Sequence, residues 1–252
     1  MAKRLVVILA LALVGSVVAV RAQQFPFWEV LLHYYGGKSD ATPVPTMMMG
    51  NHMQMSVKGK TQPGDDERAQ QIIIAARAVL ARYADVNTAL TDGYKPFHPT
   101  GRMGEEVHYT NYRYGRQANQ HVNYDHPTSI LYKRTQEGMK AVGVMYTAPQ
   151  DATAEQLNAV VPLSIASWHR HVDFCGGPKS LPIAEQFGPH AQFGMQGSLH
   201  TEEACKQAGG LWLPVVFGWM VHVYPNAAEP SEIWGGTHMR MDANTDKGEM
   251  KM

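Results

Sequence analysis

Five short runs of strand-forming residues constrain the fold of this chain more than any other feature of its sequence. They span 105–114, 129–134, 139–147, 163–174 and 215–224. Side chains alternate between two faces along a β-strand, and the alternation of apolar residues within these runs indicates strands. The turn residues Thr135-Gln-Glu-Gly138 separate two of the runs and predict a β-hairpin over 129–147.

The segment before the first run predicts one long helix. Acidic residues at 65–67 suit a helix N-terminus, and apolar residues then recur every three or four positions as far as Leu90. Shorter helices are predicted over 153–161, where Thr153 and Gln156 are placed as a capping box, and over 202–208. We therefore expect an α+β fold, mainly antiparallel β, in which a curved sheet or small barrel has one long N-terminal helix packed on it.

The two ends of the chain differ in composition from its middle. A positive start followed by an apolar stretch predicts a signal peptide over 1–22, with a membrane anchor as the alternative. The expected organisation continues with an irregular Met-rich arm over 23–64, a single α+β domain over 65–236 and a flexible tail over 237–252. The expected protein is exported, periplasmic or secreted, and has no membrane span after signal cleavage.

Charge, cysteine content and missing motifs narrow the functional classes. The 22 basic and 22 acidic side chains balance and form no basic block, so nucleic acid is not an expected partner. In an exported protein the pair Cys175 and Cys205 predicts a disulfide, with two buried thiols as the alternative. The sequence has no Gly-x-Ser-x-Gly, no phosphate-binding glycine loop and no Cys-x-x-Cys-His, which disfavours an α/β-hydrolase, a P-loop protein or covalent haem.

Histidines within the strand runs predict a metal site. His169 and His171 are two positions apart on one predicted strand, so they share a face and lie roughly 6–7 Å apart along it. His222 and His108 occur in two other runs. Neutral imidazole is a common transition-metal ligand. We therefore expect His169, His171 and His222 to bind one ion, with His108 or Glu106 as a candidate fourth ligand. The alternative is that these are ordinary core or surface histidines.

The metal and its use are less constrained by the sequence. Copper is favoured over zinc or iron because methionines cluster near histidines at 47–55 and 238–241, and soft thioethers suit its reduced form. Glu106, Tyr109 and Tyr224 are candidate catalytic groups that could donate or accept a proton. Three functions stay open: a mononuclear metalloenzyme acting on an unknown small molecule, a non-catalytic copper carrier, and a metal-free structural or interaction domain.

Five segments carry a resemblance to a known family. They are the helix ending in Thr91-Asp-Gly-Tyr94, Val107-His-Tyr-Thr-Asn111, His126-Pro-Thr-Ser-Ile-Leu-Tyr132, Ala141-Val-Gly-Val-Met-Tyr146 and Gly218-Trp-Met-Val-His222. Over roughly 75–225 the chain resembles a family of exported bacterial proteins whose function is uncharacterised. The resemblance implies a shared fold and a shared His-rich metal site, and it implies no activity. Glu105-Glu106 departs from the glycine-rich stretch usual there, which places a family role for Glu106 in doubt.

Overall fold

The structure is a computed structural model that describes residues 44–97, 103–178, 180–181 and 191–235. The predicted signal peptide, most of the predicted arm and the predicted tail with its methionines lie outside these residues. No helix within the described ranges is both long enough and apolar enough to cross a bilayer.

Within the described residues, eight antiparallel strands form one sheet. The strands are β1 (Thr46–Met48), β2 (Met53–Ser56), β3 (Lys95–Pro96), β4 (Glu106–Thr110), β5 (Ser129–Thr135), β6 (Gly138–Ala148), β7 (His169–Gly176) and β8 (Leu211–Val223). Their order across the sheet is β1-β2-β7-β8-β6-β5-β4-β3. The predicted antiparallel sheet is confirmed. The small-barrel alternative is wrong, because the described strands leave two edges, and those edge strands have only three and two residues.

Five α-helices in the described part of the chain accompany the sheet. They are α1 (Asp65–Arg82), α2 (Val86–Thr91), α3 (Tyr112–Ala118), α4 (Ala154–Val160) and α5 (Glu202–Gln207), and a 3-10 turn follows at Pro230–Glu232. The prediction of one long helix reaching Leu90 is not supported. Helix α1 ends at Arg82, and the Asp85 side chain begins a new helix by accepting a hydrogen bond from the Asn87 amide at 2.9 Å.

One face of the sheet, which we call the core face, is covered by helices. Helix α1 buries Ile72, Ala76 and Val79 in a cluster with side chains from the central strands, among them Tyr132, Val144, Tyr146, Trp219 and Val221. The Tyr132 hydroxyl donates a hydrogen bond to the Tyr83 carbonyl at 2.7 Å, which anchors the end of α1 to β5. Burial of these large side chains is the main stabilisation of the fold.

Side chains at the alternate positions of the same strands lie on the opposite face, which we call the histidine face. Leu131, Met145, Met220 and Tyr224 form a separate buried cluster there. Because facing alternates with every residue, the register that buries Trp219 and Val221 in the core places Met220 and His222 on the histidine face.

The structure corrects two further predictions in this region. The arm expected to be irregular through residue 64 contains β1 and β2, which join the sheet through β7. The strand expected over 105–114 ends at Thr110, because the Asn111 side chain accepts hydrogen bonds from the Arg113 and Tyr114 amides and begins α3.

Other local predictions are confirmed. The β5–β6 hairpin forms, and Thr153 and Gln156 make the reciprocal hydrogen bonds of a capping box at the start of α4. The run predicted over 163–174 begins its strand only at His169, since residues 162–166 form a turn closed by the Pro162 carbonyl.

Candidate metal centre

Strand β7 holds His169 and His171 on the histidine face. Between them, the Arg170 guanidinium lies 4.6 Å from the Trp219 ring on the core face and donates to Gln54 Oε1 at 2.7 Å. These contacts hold the Arg170 side chain on the core face, so its neighbours His169 and His171 point to the histidine face. The adjacent Trp168 is fully buried in the core, so the two histidines lie on the opposite side of the sheet.

Four histidines from three strands meet on this face, and we call His108, His169, His171 and His222 the histidine cluster. The ring centroids of His169 and His222 are 4.9 Å apart, those of His169 and His171 5.7 Å, and those of His108 and His222 5.1 Å. The structure therefore brings together all four histidines named from the sequence, on one side of the sheet.

The closest pair has a spacing that fits two chemistries. The Nε2 atoms of His108 and His222 are 3.1 Å apart, which suits an N–H···N hydrogen bond. The same spacing suits shared ligation, because two nitrogens held at ~2.0–2.1 Å from one ion lie roughly 2.9–3.4 Å apart at ordinary bond angles. As the rings stand, no group of three or more His, Cys, Asp or Glu side chains in the described part of the chain has a metal-holding arrangement. A third ligand requires His169 to turn its ring toward the pair.

His169 is the most buried member of the cluster. It is 3% exposed, and its Nδ1 atom is buried with no hydrogen-bond partner among the described residues. A buried nitrogen without a partner costs about 1–3 kcal/mol, which makes this atom a candidate for a ligand contact.

Burial also sets the charge of the cluster. It lowers the pKa of His169 to about 3, with further lowering from His171 and His108. Burial likewise lowers the pKa of the partly exposed His171 to about 4. Both imidazoles are therefore neutral at pH 7, which is the form that binds metal ions.

A bulge in β8 lies directly beside the cluster. His169 pairs with Met220 whereas His171 pairs with Val216, so two steps along β7 correspond to four along β8. Phe217 in the bulge has a φ of 61°, and a Cβ on Gly218 would lie 2.0 Å from the Ala148 carbonyl oxygen. Bulges bend a strand and re-aim its side chains. This bulge divides β8 into a part up to Val216, which pairs with β7 from His171 onward, and a part from Trp219 onward, which carries His222.

Two of the three candidate catalytic residues lie beside the cluster and contact each other. The Tyr224 hydroxyl donates to Glu106 Oε1 at 2.9 Å, and the Tyr224 ring lies 6.2 Å from the His222 ring. Tyr109 is on the other side of the sheet, buried in the core 4.8 Å from the Tyr132 ring. Tyr109 is therefore not beside the cluster, because neighbouring residues of β4 face opposite ways, and its catalytic role stays a prediction.

Gly143 allows Tyr224 to lie across β6 and reach Glu106. A Cβ at this position would lie 2.8 Å from Tyr224 Cδ1 and 3.0 Å from both Leu131 Cδ1 and the Val223 carbonyl oxygen. Only glycine fits at this distance, so the hydrogen bond between Tyr224 and Glu106 depends on it.

Gly143→Ala is expected to displace the Tyr224 ring and to lower the free energy of unfolding by about 1–3 kcal/mol, as overpacking does. Urea unfolding measures this change. Tyr224→Phe is the matched control, since it removes only the hydroxyl and should cost about 0.5–1.5 kcal/mol. An alanine variant as stable as the wild type would show that the ring has room to move.

The predicted disulfide is confirmed. Cys175 at the far end of β7 is bonded to Cys205 in α5, with Cα atoms 5.5 Å apart, and both residues are fully buried. The bond ties the helix to the two strands that carry three of the four clustered histidines.

Sequence reasoning did not place any methionine beside the clustered histidines. Met53 and Met55 pair with His171 and His169, and Met145 pairs with His222. The alternation in Met53-Gln-Met55 was a signal for a strand, but the methionine-rich surroundings concealed it. His52, also unassigned, is buried, and its Nε2 atom lies 2.6 Å from the Gly197 carbonyl oxygen.

Comparison with known proteins gives no match: no protein-family model, no curated protein and no solved structure is similar to this chain. The resemblance to exported bacterial proteins therefore stays a prediction, and the function has to be argued from the site.

Proposed function

We propose that this chain is an exported protein that binds one copper ion through its histidine cluster. The observation that supports it most is the convergence of four histidines from three strands. Their ring centroids are 5.7 Å apart for His171 and His169, 4.9 Å for His169 and His222, and 5.1 Å for His222 and His108. His108, His169 and His222 are the proposed core of the ligand set, with His171 as a further ligand. Export to the periplasm or outside rests on the signal-peptide pattern of residues 1–22.

The alternative of a metal-free polar patch explains the cluster less well. A patch of that kind would satisfy its nitrogens internally, yet His169 Nδ1 is buried without a partner among the described residues. Copper ranks before zinc and iron because it heads the affinity order of divalent metals at nitrogen sites and because its reduced form accepts thioether sulfur.

Metal titration of the purified chain tests the proposal. The wild type, first stripped with chelator, should take up about one equivalent of Cu(II), since one cluster offers one site. His169→Ala/His222→Ala should weaken binding by at least roughly 100-fold, since it removes two of three core ligands. His121→Ala is the matched control, because His121 is exposed and lies outside the cluster. Equal copper binding by the double variant and the wild type would refute the proposal.

A copper enzyme is the second candidate function, and the pair Tyr224 and Glu106 favours it. A tyrosine hydroxyl beside a metal site can donate its proton to a small molecule and regain one from water, while the Glu106 carboxylate that accepts its hydrogen bond orients the hydroxyl. This function needs an open coordination position. Azide added to the Cu(II) protein should change its electron paramagnetic resonance spectrum if the position is open, and an unchanged spectrum would favour a carrier.

A further inference from the structure

Each histidine of the cluster on β7 and β8 has a methionine directly beside it on a neighbouring strand. Met55 and Met220 flank His169 on its two sides, Met53 pairs with His171, and Met145 pairs with His222. Directly opposed residues of antiparallel strands point to the same face with Cβ atoms about 4.5–5.5 Å apart. The four thioethers therefore share the histidine face with the imidazoles.

The arrangement exceeds what composition alone would give. Methionine makes up 15 of the 252 residues. Yet it occupies four of the five positions that pair with His169, His171 and His222 on neighbouring strands. Ordinary core filling is the competing explanation, since methionine adapts to irregular gaps. Core filling requires an apolar side chain of this size and does not require sulfur.

Met145 and Met220 are the best-placed pair. They are 6% and 5% exposed and pack together with Leu131 and Tyr224 on the histidine face. Met220 pairs with His169 and precedes His222 by two positions on the same face of β8. Both sulfurs belong to flexible, unbranched side chains that can turn toward an ion held by those two histidines.

We propose that Met145 and Met220 make the histidine cluster a mixed imidazole–thioether site that holds copper as Cu(I). Thioether sulfur is a soft, neutral ligand that prefers Cu(I) to divalent ions. The buried surroundings act in the same direction, because a single positive charge costs less to bury than a double one. The inference rests on the proposed copper site and adds the oxidation state and the sulfur ligands.

The test compares Cu(I) and Zn(II) binding to Met145→Leu/Met220→Leu and to the wild type. Leucine keeps the apolar volume and removes the sulfur, so the variant should stay folded. Cu(I) is supplied without oxygen against a chromogenic chelator, and Zn(II) against a fluorescent one. The Cu(I) dissociation constant should rise at least tenfold, while that of Zn(II) should change less than threefold.

Met139→Leu is the matched control, because Met139 lies on the same strand but packs against the core-face cluster. It should leave both dissociation constants unchanged. X-ray absorption at the copper edge of the wild-type Cu(I) protein gives a second measurement that needs no variant, and it should show sulfur neighbours.

The outcomes separate this inference from the proposed function. Unchanged Cu(I) binding in the leucine variant, equal weakening of both metals, or a copper spectrum with only nitrogen neighbours would each overturn the thioether site and leave a histidine site standing. A wild-type chain that binds neither ion would overturn both.

Discussion

Replacing the disulfide, in Cys175→Ala/Cys205→Ala, is expected to lower the free energy of unfolding by about 3–4 kcal/mol. The two residues are 30 positions apart, so the bond restricts the unfolded chain considerably. Both are also fully buried and pack with Phe193, so the variant loses contacts in the folded state as well. For a domain of this size, the loss corresponds to a melting temperature lower by roughly 6–16 °C.

Urea unfolding of the purified chain measures this difference. Wild-type protein treated with reductant is the control and should lose a similar amount, because the same cross-link is removed without a change of sequence. A difference below about 1 kcal/mol in both samples would show that α5 and β7 stay together without the bond.

Acid is expected to destabilise the metal-free protein because His169 and His171 are both held neutral in the folded chain. Burial lowers the pKa of His171 to about 4 and that of His169 to about 3, against 6.5 for an ordinary histidine. Between these values the unfolded chain binds a proton that the folded chain does not, so stability is full above pH 6.5 and falls as the pH falls toward 3. His169 alone should remove about 2 kcal/mol between pH 7 and pH 5.

Urea unfolding of the chelator-treated chain at several pH values tests this expectation. His169→Leu removes the titrating group, so its stability should fall by about 2 kcal/mol less than that of the wild type over the same interval. His121→Ala, which changes an exposed histidine, should follow the wild type. Parallel pH profiles for the leucine variant and the wild type would show that His169 binds its proton without unfolding.

The parts of the fold that sequence predicts are those with a local cause. The hairpin over 129–147 follows from its turn residues, and helix α4 follows from the cap formed by Thr153 and Gln156. Strand β3 has two residues and β1 has three, so neither is long enough to show a period. Whether the sheet stays open or closes into a barrel depends on pairing between distant strands, which no local pattern specifies.

The site shows the same division between local and long-range causes. Period two alone predicts that His169 and His171 share a face, and the same rule places Tyr109 opposite His108. The 3.1 Å approach of His108 and His222 depends on the order of strands β4, β5, β6 and β8, which the sequence does not show. Met145 and Met220 become relevant only once the register between these strands is known.

The bulge in β8 has a consequence for how this chain can change over evolutionary time. From Trp219 onward the strand supplies the core with one set of side chains and the histidine cluster with the other. Loss or gain of a single residue between Val216 and Trp219 would exchange the two sets, placing an imidazole against the helices and an indole over the cluster. Residues here other than Gly218 can be substituted one at a time, whereas a length change of one residue has to be offset by a second. The spacing between this bulge and His222 is therefore expected to stay constant even where the residues themselves differ.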